Sequence, residues 1–352
     1  MSPSRLLFPS SPHRSPARPS PMGRARPRVD PVDTTTPLHV RLELAMTVDD
    51  ADVWNELRAT HAVDERDELV TLLDLTDLWM APVPTLGGRE RFQFHPIVVE
   101  LKRDLEAQYL DRVRAGVVGD GLEPTGGTTA VAAMRRVGAA ELVPDVYRWL
   151  ADEATWEQIV DFLAHEGGPD AGFDDLVALA QVGIHDGPKV TLGANYWDEM
   201  GRGELAQVHT VLHDDLVAAS RMPRLPRAEL PVEALHRMVL GGVLATNRSL
   251  QPELLGALGL LEMQAGPRCR AVIAALRRVD APEGTLPFYE EHAEADPRHG
   301  KEWLDHVVAP LEEQFPEWGP RMVDGARWRH QANHRFFETI RSVIEQRHES
   351  TS

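Results

Sequence analysis

From about residue 38 onward, apolar residues recur at three- and four-residue intervals and hardly ever alternate. That period belongs to the helix, not the strand. A chain that repeats it through one segment after another can bury its apolar stripes only helix against helix. "DADVWNELRATHA", "DERDELVTLLDLTDLWM" and "FHPIVVELKRDLEAQYLDRVRAGVVG" read this way, as does nearly everything after "AAELVPDVYRWLAD". Glycine and proline mark the expected joins at "EGGPD", "HDGPK" and "DAPEGTLP". The fold expected is an all-α bundle, spanning residues 146–347, with an additional N-terminal helical region over 37–145. No internal repeat is evident.

Residues 1–36 are of another kind. They are rich in Pro, Ser and Arg, with no acid before Asp30, and cannot build a core. A disordered tail is expected there, and an over-extended start, with Met22 or Met46 as the true beginning, is its plainest origin. The apolar "LLF" is too short for a secretory signal. No run approaches the ~18 apolar residues that a membrane span needs.

A net charge of −18 over 352 residues argues against nucleic acid as a partner. The single cysteine, Cys269, rules out an internal disulfide and any thiolate metal or iron–sulfur site. That fits a cytoplasmic protein. The Gly-Gly pair in "DGLEPTGGTT" lacks the Gly-Lys-Ser/Thr ending of a phosphate loop.

The chemistry is concentrated near the C-terminal third. In "FYEEHAEADPRHG", His292, Asp296 and His299 stand four and then three residues apart. On a helix these steps return to one face, so two imidazoles and a carboxylate point the same way. Pro297 removes one backbone donor between them and is expected to kink the helix and shift His299. Upstream, Glu262 is a lone carboxylate in the apolar run "LGLLEMQAG", costly to bury unless it binds something. Further upstream, "NYWDEMGRGELAQVHTVLH" offers Glu199 and His209. On one straight helix they would be ~15 Å apart and about 80° out of register. Gly201 and Gly203 supply the interruption that sharing a metal would require. Glu204 is the rival carboxylate and His213 the rival imidazole.

In order and spacing, Glu199–His209, Glu262 and His292-x3-Asp296-x2-His299 resemble the three-histidine, three-carboxylate set of the haem-oxygenase-like diiron oxidases. "NYWDEMG" and "FLAHEGGPDAGFDDL" are similar to the bacterial branch described as iron-containing redox enzymes, and the resemblance covers about 150–345. It implies a haem-oxygenase-like helical bundle with six metal ligands: Glu199, His209, Glu262, His292, Asp296 and His299. Glu166 is a candidate additional ligand or supporting group, with a loop-capping role as the alternative. The resemblance further implies Fe(II), two per chain, with O2 as co-substrate. The substrate would be a small amine, amino-acid or fatty-acid-like metabolite, with an external electron donor and a homodimer as further expectations.

Tyr196, Trp197, Phe288, Tyr289 and Trp303 are the aromatic residues nearest the ligands in sequence, either pocket lining or plain core. The cationic stretch "RWRHQANHRFFE" is either a receptor for a substrate carboxylate or phosphate or a solvated helix face. A ferritin-like site would use E-x-x-H pairs, which Glu233–His236 and Glu345–His348 match in string only. A thiaminase-like member of the same fold would need Cys269 as nucleophile. The alternative from another class is a non-catalytic helical binding or scaffold protein.

Overall fold

The computed structural model describes residues 35–350 apart from residue 171; the tail expected over 1–36 lies almost wholly outside the described residues. Among these, regular structure is α-helix with short 3-10 turns and one π segment, as the all-α reading expects. Five helices precede the bundle: α1 (Leu38–Val48), α2 (Ala51–Arg58), α3 (Glu65–Met80), α4 (Pro96–Gly116) and α5 (Ala130–Ala140). Ten follow: α6 (Asp145–Asp152), α7 (Trp156–Asp170), α8 (Phe173–Ala180), α9 (Asp186–Glu199), α10 (His209–Ser220), α11 (Val232–Thr246), α12 (Gln251–Arg278), α13 (Pro287–Trp303), α14 (Ala309–Gln314) and α15 (Trp318–Glu349).

Local chemistry starts many of them. Asp50 and Asp64 accept from the amides of Asp52 and Asp67 at the starts of α2 and α3, and Thr129 does the same for α5. Proline opens α4, α12 and α13, where its missing N–H costs nothing.

α12 is the axis of the structure. Leu254, Leu255, Leu258 and Leu260 are buried on successive sides of it, each contributing about 1.5–3 kcal/mol over an exposed position. It packs against α13 on one side and α15 on another, with α6 alongside. α11 lies between α3, α7 and α15, so the N-terminal helices share a continuous core with the bundle. Asp67 ties α1 to α3 by accepting from the amides of Leu38 (2.7 Å), His39 (3.1 Å) and Val63 (2.9 Å). Burial would raise this carboxyl, but those amides and the His39 ring hold it below its ordinary value.

Two joins differ from the sequence reading. "EGGPD" is not a break: α7 continues through it to Asp170. Pro297 does not interrupt α13 either, which runs on to Trp303 and into a π segment, Leu304–Val308. Pro297 leaves the Ala293 carbonyl without its helical donor. The Arg270 guanidinium fills that role from α12, 3.1 Å away.

Candidate metal centre

α9 stops at Glu199 and α10 begins at His209, with two 3-10 turns between them. Gly201 enforces the break. Its φ is +58°, and a Cβ there would sit 2.5 Å from the Gln207 backbone. The fold-back sets the His209 Nδ1 2.6 Å from Glu199 Oε2, a proximity that no ten-residue helical step could reach. α12 and α13 deliver the other candidate ligands through a close crossing. At Gly300 a Cβ would meet Met263 Cα at 2.9 Å and the Glu262 carbonyl at 3.0 Å. That contact brings His299 Nδ1 to 3.5 Å from Glu262 Oε2, with Asp296 Oδ1 at 3.7 Å.

Five of the six candidate ligands are buried, and His292 is half-buried. Their donor atoms form two neighbouring groups, each within 4.8 Å: Glu199, His209 and His292 in one, Glu199, Glu262 and His299 in the other. Glu199 belongs to both. The rings of His209 and His292 are 4.4 Å apart. Hydrogen bonds at the far side of two rings fix which nitrogen faces inward. His292 Nδ1 donates to the Phe288 carbonyl at 2.6 Å, leaving Nε2 free. His299 Nε2 lies 2.8 Å from Asp198 Oδ2, leaving Nδ1.

The electrostatics are those of a site that needs cations. Burial, then repulsion from Glu262, pushes Glu199 up to about 8. Burial also raises Asp296, and it lowers His209. Burial alone would hold His299 down, but Asp296, Glu262 and Asp198 around it carry it to about 11. Both nitrogens of His209, the Nδ1 of His299 and the Oδ2 of Asp296 are buried without a hydrogen-bond partner. Orphaned buried donors of this kind are expensive. Imidazole and carboxylate without thiolate is the donor set that suits iron, and these residues fit it.

Residues 160–334 match the model of a family described as iron-containing redox enzymes. The chain belongs to that family. Its fold is the haem-oxygenase-like bundle, and all six candidate ligands lie in the matched stretch. No curated protein matches this sequence. The helices α1 to α6 precede the part of the chain that the family model covers.

The remaining candidates fall elsewhere. Glu166 is in neither ligand group; Tyr147 Oη donates to it at 3.2 Å and Arg237 Nη2 is 3.6 Å away. Lying within α7, it caps no loop. Glu204 is exposed in the loop after Glu199. His213 packs on Phe288, one ring behind His292, with its buried Nε2 unpartnered. Tyr289 stands edge-on to Phe288, whereas Trp303 is core, donating to the Leu255 carbonyl. Trp197 is 54% exposed and faces outward.

Two arginines of the cationic stretch on α15 are not open to a substrate. Arg327 is buried against Asp120 (2.9 Å), and Arg329 donates to the Arg237 carbonyl (2.9 Å). The E-x-x-H strings serve packing: His236 meets Glu65 at 3.0 Å, and His348 lies 3.5 Å from Asp161. Cys269 is buried and its thiol is pushed well up by burial, then by Asp296 and Glu166, the reverse of an activated nucleophile. A second His–carboxylate group, Glu141, His334 and Glu338, is at the surface, where Glu141 and His334 already pair at 2.8 Å.

Sequence reasoning missed Asn195 and Asp198. Asn195 donates to Glu262 Oε1 at 2.6 Å, and Asp198 takes the outer nitrogen of His299. A signal existed: Asn195 precedes Glu199 by four residues, one turn back on the same helical face.

Proposed function

We propose that this protein is a non-haem diiron oxidase or oxygenase that uses O2 on a small amine, amino-acid or fatty-acid-like metabolite. The observation that carries the reading is Glu199, one buried carboxylate shared by two adjacent ligand groups. Two ferrous ions held there would supply two electrons to O2, with an external reductant restoring them.

This chain's own residues would do the rest. His209 and His292 make one half of the site nitrogen-rich, while Glu262, Asp296 and His299 make the other carboxylate-rich. Asn195 holds one oxygen of Glu262, so the other turns inward. The Phe288 carbonyl fixes the ring of His292, and the Phe288 ring, 4.3 Å from it, keeps water from that side. Without metal the three buried carboxyl groups are kept together only by protons, on Glu199 and on the His299 ring, which supports occupation by divalent ions. A scaffold protein would have no cause to bury these donors unpaired. No helix among the described residues is long and apolar enough to cross a membrane, and cytoplasmic placement, with its reducing supply of Fe(II), is part of the same reading. So is a homodimer.

The test is anaerobic Fe(II) titration of the purified chain, with optical spectra after O2 is admitted. Uptake of about two irons per chain and an O2-dependent transient are expected. An iron-free protein indistinguishable from His292→Ala would overturn the reading.

A further inference from the structure

Asp198 stands next to Glu199 at the end of α9 but turns away from the ligand groups. Its Oδ2 lies 2.8 Å from His299 Nε2, an ion pair buried on both sides. A carboxylate can only accept, so Nε2 carries the proton. That leaves Nδ1 as the nitrogen facing Glu262 and Asp296, where no hydrogen bond satisfies it and from which a metal would displace the remaining proton.

Asp198 is itself gripped. Arg298 Nη2 reaches Oδ2 at 2.6 Å, and Arg202 Nη1 reaches Oδ1 at 3.4 Å. The same Arg202 nitrogen is 2.9 Å from Glu291, the neighbour of His292. Arg202 holds a φ of +53°, a conformation that residues other than glycine seldom adopt. Arg298 Nη2 also lies 3.3 Å from His299 Nε2, and the carboxylate between these two donors serves both. The rotation of one imidazole is thus fixed by a carboxylate from another helix and two guanidinium groups.

We propose that Asp198 is the positioning residue for His299: held by Arg298 and Arg202, it fixes the imidazole so that Nδ1 rather than Nε2 faces the metal centre. The inference rests on the diiron reading above. A carboxylate behind a ligating histidine sets its tautomer and makes the inner nitrogen a better donor. Here the same carboxylate also bolts the end of α9 to α13, so the Glu199 and His299 ligands share one anchor.

The experiment is stepwise anaerobic Fe(II) binding to the full chain and to Asp198→Asn, Asp198→Ala, Arg298→Ala and, for reference, His299→Ala. One of the two irons is expected to bind about 10- to 100-fold more weakly to the Asp198 variants, with the other unchanged. Arg298→Ala should show a smaller loss, and it keeps the idea open to refutation where an Asp198 variant fails to fold. Nitrogen NMR of the zinc-loaded wild type should show His299 metal-bound through Nδ1 with a slowly exchanging Nε2 proton. In Asp198→Ala that proton should exchange with water. Wild-type affinity for both irons in the Asp198 variants, or ligation through Nε2, would overturn the positioning role alone. A wild type that takes up no iron would overturn the diiron reading and this inference together.

Discussion

His209 Nδ1 and Glu199 Oε2 approach to 2.6 Å, yet neither nitrogen of that buried ring makes a hydrogen bond. Two donors so close and so misaligned for each other point at a common third atom. Because Glu199 also belongs to the group with Glu262 and His299, its loss should cost more than the loss of His209. Glu199→Ala is expected to bind fewer than one iron per chain tightly, whereas His209→Ala keeps about one. Parallel anaerobic titrations compare them, and equal stoichiometries would refute the shared ligand.

Acidity should oppose metal binding. Glu199, raised by burial to about 8 from an ordinary 4.5, holds a proton at neutral pH in the metal-free fold. His299, at about 11 against an ordinary 6.5, is also protonated. Binding expels both, so affinity rises with pH. The folded, metal-free chain keeps protons that the unfolded chain has released, for Glu199 between 4.5 and about 8 and for His299 between 6.5 and about 11. These two groups therefore make the metal-free chain less stable as pH rises through those windows. Thermal melts at pH 5 and pH 8, without and with metal, should show a falling midpoint and a growing metal-induced rise. Calorimetry in buffers of different ionisation enthalpy should detect the released protons. No release at pH 7 would contradict this account.

Gly300→Ala tests the crossing of α12 and α13. The added methyl would press on the backbone of Glu262 and Met263, so the helices must part. A loss of about 1–3 kcal/mol in urea unfolding is expected, with weaker iron binding as His299 draws back from Glu262. Unchanged stability would mean that the crossing is slack.

Cys269 should be dispensable. Buried, with its thiol pushed up, it should resist alkylation in the folded chain and react only on unfolding. Cys269→Ala is expected to retain iron uptake and its O2 response. Loss of both in a folded variant would revive a nucleophilic role.

The helical architecture was legible because each segment carries its own period, and the His292, Asp296 and His299 face could be read from spacing alone. Glu262 showed itself as a carboxylate among leucines. The pairing of Glu199 with His209 needed one further step, recognising that Gly201 and Gly203 break the helix between them. What stayed hidden depends on tertiary neighbours. Pro297 looks like a kink until Arg270, on another helix, takes up the Ala293 carbonyl. Gly167 and Gly168 look like a turn, yet α7 is packed against α11 and α15 and continues through them. Asp198 looks like one more acid facing water, because its partner is 101 positions away.

The candidate ligands come from four helices, and in polymer terms that spacing has a consequence. Between Glu199 and His209 lie 10 positions of chain, between His209 and Glu262 53, and between Glu262 and His292 30 (209 − 199, 262 − 209 and 292 − 262). A metal pair gripping all four helices would close three consecutive loops in a chain with no disulfide to do so. Unfolding would then have to release the metal or carry the closed loops with it, and either raises its cost. In such a bundle the cofactor would also act as a cross-link, so starving the protein of iron would loosen the fold as well as remove the proposed chemistry.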